Sequence, residues 1–550
     1  MPTDIVIARR ASIATKPSSW PPLLVLGFLL ILCAFRGLYM AAGLVRPPDI
    51  DSLRDVGFIQ GFLDGNWFGD PSYAGEWRYY PPLVHALAAS VARLLGTGDV
   101  LRFWAQAGVW LNLLTPLAFF FMARRLLGSS QAAAASATVY VLFNGAVSRP
   151  WNTGGYTPWP LTPSISQAFF FAGVWMILAR GIPGLAWKML LNAVMIGALI
   201  GITLLAHLVP AVILTAIVTA VAFGSDGFRA RTFIWLAIVA VAELAAAAPY
   251  LGPVLISYPA GVINTGPGSW VDNLMSPSRS AMSRMIVLNL PGIVACACLW
   301  MLRRRVDPLL NRASVWALAA WIIVCAAEIS RHYACALFKY IPASVCQTFV
   351  LPVNYYHFYL QDAWACLIGC AFWQVMRLIR RRSGNFAAYP IVTASLVGAV
   401  LVFGGLASLR RPYDIVARAQ ALNDGGDFDV AAYRWILSNT TPDDIFVTDL
   451  RSDDVNPTAF SVMAAGRQLA TVPKTFSNPY VDWNKKNVLR LSYLDAASNP
   501  DRPGTVLCGL GHGHGWLLLP NDFKVMQVRA EPAFRTSYNT GYRITGSGCP

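Results

Sequence analysis

The sequence predicts a polytopic α-helical membrane protein, with about eleven transmembrane helices and a C-terminal extracytoplasmic α/β domain. Three observations carry this. Of 550 residues, 56% are hydrophobic and only 13% are charged, where a soluble domain carries roughly 25%. The mean hydropathy is +0.49, and apolar runs of about 20 residues, enough to span, recur from Trp20 onward. Beyond Arg411 the chain turns to Asp, Asn, Gly and Pro, and no spanning run remains. The net charge of +15 sits in clusters between spans. That is the pattern of cytoplasmic loops and does not indicate nucleic acid.

Spans fall near 20–42, 102–122, 131–147, 165–180, 190–207, 209–223, 232–250, 285–302, 313–331, 357–378 and 388–408. The first follows Arg9, Arg10 and Lys16, as a signal peptide would. It is long enough to span and no A-x-A-like site follows, so it reads as an uncleaved helix. In 190–223 two spans are joined only by His207 to Pro210. The clusters Arg9/Arg10/Lys16, Arg124/Arg125, Arg180/Lys188, Arg229/Arg231, Arg303/Arg304/Arg305/Arg312 and Arg377/Arg380/Arg381/Arg382 all fall on one side. The positive-inside rule makes that side the cytoplasm. Residues 1–19 are then a cytoplasmic N-terminus, 20–410 a transmembrane domain and 411–550 an outer domain. The segments 43–101, 148–164, 251–284 and 332–356 become outer loops. Residues 51–63 and 83–95 are apolar but too short to span, and read as amphipathic or re-entrant helices at the outer surface. After 411, YDIVARAQAL and AAYRWILSNT read as helices, Thr441 to Asp444 as a turn, and IFVTD as a strand. WLLLP, FKVMQVRA and GYRITG are further β-like runs. The ten cysteines show neither a C-x-x-C pair nor zinc spacing. Cys508 and Cys549 are either a disulfide in an oxidising compartment or two free thiols.

The segment 47–85 concentrates the chemistry. Six acids follow the first span: Asp49, Asp51, Asp55, Asp64, Asp70 and Glu76. Tyr79-Tyr80-Pro81-Pro82 and His85 close the stretch. A carboxylate held at a membrane surface can take a proton from an acceptor hydroxyl or amine as a sugar is transferred. The plainer reading of Asp49 and Asp51 is capping of the helix that starts near Ser52. Ten cations escape the cytoplasmic side: Arg46, Arg54, Arg78, Arg93, Arg102, Arg149, Arg279, Arg284, Arg331 and Lys339. Arg331-His332 and Lys339 flank a span end and an outer loop, where a phosphate or lipid headgroups can meet them. Glu243 and Glu328 lie inside spans, where ionisable groups mark function or internal hydrogen bonding. Trp151, Tyr156, Trp159, Tyr355, Tyr356 and Tyr359 read as an aromatic belt. His207 and His357 finish spans. His512 and His514 lie in a Gly-rich loop with no third metal ligand.

The order of a span, P-D-x-D, a surface helix, GNWFGDP, YYPPL, a second surface helix and a span ending ARRLLG resembles the GT-C superfamily of polyprenyl-phosphate-sugar glycosyltransferases. It is similar to the branch holding lipid A aminoarabinose and rhizobial galacturonosyl transferases, and more loosely to protein O-mannosyltransferases. YRWILSNTTPDDIFVTD followed by AAGRQLA is similar to the outer domain of bacterial members. The resemblance implies a hexosyl- or pentosyltransferase, multi-pass in the bacterial inner membrane with its N-terminus cytoplasmic. A polyprenyl-phosphate-linked sugar would be the donor, and an envelope glycan, lipid or protein the acceptor, among membrane lipids. It implies a catalytic Asp in the first outer loop, here Asp49 with Asp51 second. Ile50 separates the two where many members carry adjacent acids. Arg331, Lys339 and Arg284 would meet the donor phosphate. Glu76, Tyr79, Tyr80, His85 and His332 would line the substrate site, with Tyr79-Tyr80 standing where relatives often carry Lys or Glu. No redox cofactor is needed, no metal ligand is assigned, and a divalent metal ion stays open because relatives differ.

Other classes remain. A polysaccharide polymerase or ligase would use a lipid-diphosphate donor and a large late outer loop. A flippase-type transporter would show paired broken helices and a midplane polar site, and no internal repeat is visible. A noncatalytic relative would scaffold envelope assembly.

Overall fold

The computed structural model describes residues 21–144, 155–180, 182, 186–258, 264, 279–306, 309–337, 341, 353–382, 398, 402, 404, 406, 412–422, 428–450, 457–499, 501, 506, 509, 515–526 and 530–544. The helices in chain order are α1 (Pro21–Ala41), α2 (Ile50–Leu63), α3 (Leu83–Leu94), α4 (Val100–Leu111), α5 (Leu114–Leu127), α6 (Ser130–Leu142), α7 (Thr162–Ala179), α8 (Ala186–Ala206), α9 (Leu208–Asp226), α10 (Ala230–Ser257), α11 (Arg279–Leu302), α12 (Arg312–Leu337) and α13 (Val353–Arg382). Then follow α14 (Pro412–Leu422), α15 (Val430–Asn439), β1 (Ile445–Thr448), α16 (Pro457–Ala464), β2 (Gln468–Leu469), α17 (Trp483–Ser498), β3 (Gly515–Pro520), β4 (Ala530–Arg535) and β5 (Asn539–Ile544).

Among the described residues, eight segments are long and apolar enough to cross a membrane: α1, α4 with α5, α7, α8, α9, α10, α12 and α13. The expected span at 131–147 appears as α6, 13 residues long. That at 285–302 appears within α11, and that at 388–408 lies almost wholly outside the described residues. α4 and α5 are broken by Pro116, which has no N–H to give and whose ring meets the carbonyl four residues back. Asn112 at the break sends its amide to the carbonyls of Thr157 and Trp159 at 3.0 and 2.8 Å. His207 separates α8 from α9 and caps the latter, accepting from the Val209 amide at 3.4 Å.

The aromatic-belt reading is corrected for four residues. Tyr156, Trp159, Tyr356 and Tyr359 are only 1–2% exposed; they pack inside the helix bundle. Trp151, His512, His514, Cys508 and Cys549 lie outside the described residues. Glu243 accepts from Thr215 of α9 at 3.2 Å, and Glu328 pairs with Arg331 one turn on at 2.9 Å. Two further ionisable groups in spans escape a reading by hydropathy. Arg36 in α1 is 2% exposed and ion-paired to Asp414 of α14, which also accepts from the Trp159 indole at 2.9 Å. Asp362 in α13 is fully buried and accepts from Asn144 at 3.2 Å.

The C-terminal strands form one sheet in the order β2-β1-β3-β5-β4. β1 runs parallel to both β2 and β3, while β5 is antiparallel to β3 and β4. The loop between α2 and α3 extends this sheet. Tyr73 bridges Leu469 in parallel, with Leu469 N–H to Ser72 O at 2.9 Å and Ala74 N–H to Leu469 O at 3.1 Å. α2 was expected as an amphipathic surface helix. Instead, eleven of its 14 residues are buried, because α16 covers its second face. One core then joins Leu53, Val56, Ile59 and Phe62 of α2 to Phe460, Met463, Leu469, Trp483 and Trp516. Each such side chain contributes about 1.5–3 kcal/mol on full burial.

The closeness of that contact sets two expectations. A Cβ on Gly57 would stand 1.9 Å from the Met463 carbonyl oxygen, so Gly57→Ala should destabilise by about 1–3 kcal/mol, as overpacking does. A lowered melting temperature of the solubilised protein checks this. Asp414→Ala removes the ion-pair partner of the buried Arg36 guanidinium and should destabilise by about 3–5 kcal/mol; a melting curve matching the wild type would contradict the ion pair's structural role.

Candidate active site

α2 begins where the chain leaves α1, and its N-cap is Asp49. The residue is extended, with φ −116 and ψ 141, and its Oδ1 accepts from the Asp51 amide at 3.3 Å. The capping reading therefore holds for one oxygen. The other, Oδ2, is buried with no hydrogen-bond partner among the described residues. Burial first, and then the neighbouring Asp51, hold the Asp49 carboxyl well above its ordinary 3.8. Asp51 is the more open of the two, its side chain 39% exposed, and it accepts from Arg54 Nη1 at 3.1 Å.

Arg54 is shared. Its Nε and Nη2 both reach Asp55 Oδ1, at 3.2 and 2.8 Å. Its guanidinium lies over the Tyr80 ring, 4.2 Å from the centroid, with the Phe476 ring at 5.5 Å. Asp55 is 1% exposed and fully engaged: Oδ1 also meets His85 Nε2 at 3.1 Å, and Oδ2 accepts from Thr162 Oγ1 at 2.9 Å. Burial pushes the Asp55 carboxyl up, but Arg54 and His85 outweigh it and hold the group below the ordinary range.

The remaining acids are structural. Asp64 pairs with Arg467 at 2.8 Å. Asp70 accepts from the Ser72 amide at 2.9 Å, and burial pushes it up to about 6. Glu76, expected to line the substrate site, pairs with Lys486 at 2.9 Å and accepts from the Tyr258 hydroxyl at 3.2 Å, which ties the first loop to the C-terminal part. Tyr79 donates to the Phe476 carbonyl at 3.3 Å, and its own carbonyl accepts from Tyr250. His85, expected to line the substrate site, is fully buried.

Asp49, Asp51, Tyr79, Tyr80 and His85 are thus brought together. Arg331 is joined to Glu328 and lies within electrostatic reach of Tyr356; His332, next to it on α12, stacks edge-on to Tyr333. Lys339 and the side chain of Arg284 lie outside the described residues. Tyr355, at the head of α13, lies within electrostatic reach of Asp51, Arg54, Asp55 and Asp49. Sequence reasoning passed over the joint role of Arg54 and Asp55. The available signal was their spacing from Asp51, i+3 and i+4, which places all three on one helix face. Nothing in the sequence ties Phe476 to that face.

Asp55 is saturated by Arg54, His85 and Thr162, and Asp51 already holds the guanidinium. Among the described residues no group of three or more His, Cys, Asp or Glu side chains is placed to hold a metal. What the arrangement offers is a buried carboxyl of raised basicity with one oxygen unpartnered among the described residues, beside a second carboxylate held by a guanidinium. That is the equipment of a proton acceptor.

The electrostatics of Asp49 give a signed expectation. A carboxyl whose folded pKa is raised contributes stability below the unfolded value and loses it as pH rises. Asp49→Asn should therefore melt higher than the wild type at neutral pH, with the difference shrinking as pH falls toward the ordinary 3.8. Equal melting temperatures at pH 7 would contradict the strained carboxylate.

No family model matches the sequence, and no curated protein is similar to it. Solved structures are similar in fold. The Archaeoglobus fulgidus oligosaccharyltransferase tethered to an acceptor peptide superposes with a TM-score of 0.55 at 14% identity, over 92% of this chain and 69% of its own. ArnT from Cupriavidus metallidurans bound to undecaprenyl phosphate gives 0.52 at 13%, over 97% of this chain and 100% of its own. The mycobacterial arabinofuranosyltransferase AftD gives 0.55 at 12%, over 96% of this chain but 42% of its own. The chain shares the fold of these three transferases.

Proposed function

We propose that this protein is a glycosyltransferase. It moves a sugar from a polyprenyl-phosphate donor to an envelope glycan, lipid or protein acceptor at the outer face of the bacterial inner membrane. The observation that carries the reading is Asp49, with one carboxyl oxygen lacking a hydrogen-bond partner among the described residues and with raised basicity, beside the Asp51–Arg54 pair at the exit of the first span of a GT-C fold. The basic clusters support a cytoplasmic N-terminus, which puts the first loop and the unit at 411–550 in the periplasm, with 20–410 as the membrane domain.

The reaction balances without an added oxidant or reductant. The acceptor hydroxyl or amine attacks the anomeric carbon as its proton passes to Asp49 or Asp51. The bond from that carbon to the phosphate oxygen breaks, and the electron pair leaves with the polyprenyl phosphate. Cations near the site meet the charge that develops on the leaving group; Arg331, Lys339 and Arg284 are the candidates away from α2. Hexosyl and pentosyl transfer are both compatible with this chemistry.

The test supplies purified protein with a panel of undecaprenyl-phosphate-linked hexoses and pentoses, together with envelope extract as acceptor. Asp49→Asn or Asp51→Asn should lower transfer by about 10²-fold or more, the scale of a lost general base. Wild-type rates in both single variants and in the double variant would overturn the proposal.

A further inference from the structure

Three carboxylates and one guanidinium crowd the start of α2, and Arg54 hydrogen-bonds two of them, Asp51 and Asp55. Where Arg54 points depends on Asp55, and where Asp55 points depends on groups from two other helices. His85 comes from α3 and Thr162 from the first turn of α7; both are fully buried. His85 Nε2 stands 3.1 Å from Asp55 Oδ1 and 3.4 Å from Thr162 Oγ1. Its Nδ1 is buried with no hydrogen-bond partner among the described residues. Thr162 donates to Asp55 Oδ2, so the assignment that satisfies the cluster is a neutral imidazole donating from Nε2 to Asp55 Oδ1. Phe58 and Tyr80 pack on the imidazole at 5.1 and 5.7 Å between ring centroids and fix its plane.

We propose that His85, Asp55 and Thr162 form a buried positioning network that fixes the guanidinium of Arg54 and, through it, the reacting geometry of Asp51. This rests on the glycosyltransferase reading above and adds to it residues that never touch substrate. Asp55 takes two of Arg54's nitrogens and leaves Nη1 for Asp51. If Asp55 loses the His85 donor, an oxygen of a buried carboxylate is left less satisfied, and Arg54 is drawn inward to compensate. Asp51, with a side chain 39% exposed, then loses its only charged hydrogen-bond donor among the described residues. His85 is faced by Asp55 and Arg54 from α2 and by Arg78 from the loop before α3. His207, at the head of α9, reaches the same Arg54–Asp55 pair.

The full-length protein tests this with His85→Phe and His85→Gln in the transfer assay, alongside Asp51→Asn. Phe keeps the ring packing and removes the donor; Gln restores an N–H donor of similar reach. His85→Phe should lower kcat by about 10²-fold, the scale of a misplaced catalytic group, with KM nearly unchanged. His85→Gln should recover most of that loss. Asp55→Asn combined with His85→Phe should be no worse than the more impaired single variant, since both act through Arg54. A wild-type kcat in His85→Phe would overturn the network, as would equal impairment of the Phe and Gln variants. If His85→Phe fails to fold, the Gln variant decides: wild-type-like kcat supports the donor role, and a loss as deep as that of Asp51→Asn opposes it. Unimpaired transfer in Asp51→Asn and Asp49→Asn would instead refute the base reading, whatever His85 does.

Discussion

Asp49, Asp51 and Asp55 share one short stretch of α2 and its cap, and Arg54 is the cation hydrogen-bonded among them. Like charges about 4 Å apart repel by about 4 kcal/mol at an effective dielectric of 20, so three bare carboxylates could not be held there. A guanidinium has five donors in a fixed fork and cannot serve all three acids equally. It gives two nitrogens to Asp55 and one to Asp51. Asp49 is left with a backbone amide on one oxygen and nothing on the other. The uneven sharing is what separates their chemistry: Asp55 is stabilised as an anion, whereas Asp49 becomes unusually basic.

Such a cluster keeps its properties only if water is excluded from part of it, and the membrane bundle alone does not do that. The closing wall comes from the far end of the chain. Phe476 lies over Arg54 and accepts at its carbonyl from Tyr79, 397 positions earlier. Arg467 and Lys486 take up Asp64 and Glu76, and the 72–74 backbone joins the C-terminal sheet at β2. These contacts bury the outer face of α2 and make the first loop and the C-terminal sheet share one apolar core. A site at the membrane surface is thereby given the rigidity of a protein interior.

The bundle shows the same economy with charge. Arg36 would be costly in a lipid-facing span, but it turns inward to Asp414, and that link carries α14 back against α1. Asp362 and Glu243 likewise face helix neighbours. Polar groups inside the spans thus tie helices together, and the acid left incompletely satisfied among the described residues, Asp49, lies just beyond the end of α1.

Hydropathy by itself marked eight of the eleven expected spans that are long and apolar enough to cross a membrane among the described residues, because an apolar run of about 20 residues has few alternatives to crossing a bilayer. The motif order after the first span pointed to Asp49 and Asp51, and the composition change after Arg411 marked the α/β unit. Periodicity could not show that α2 is buried on both faces, since its second partner, α16, lies some four hundred residues away. For the same reason Tyr156 and Tyr359 read as a belt when they are core. The pairing of Glu76 with Lys486, and of His85 with Asp55 and Thr162, was likewise invisible, because those partners come from distant parts of the chain. The residues present, and the fact that several acids gather at the first membrane exit, belong to the sequence alone. Which acid is neutralised, which is locked and which is left basic was decided only by tertiary structure, because protonation depends on the distance to charges and solvent that chain order does not encode.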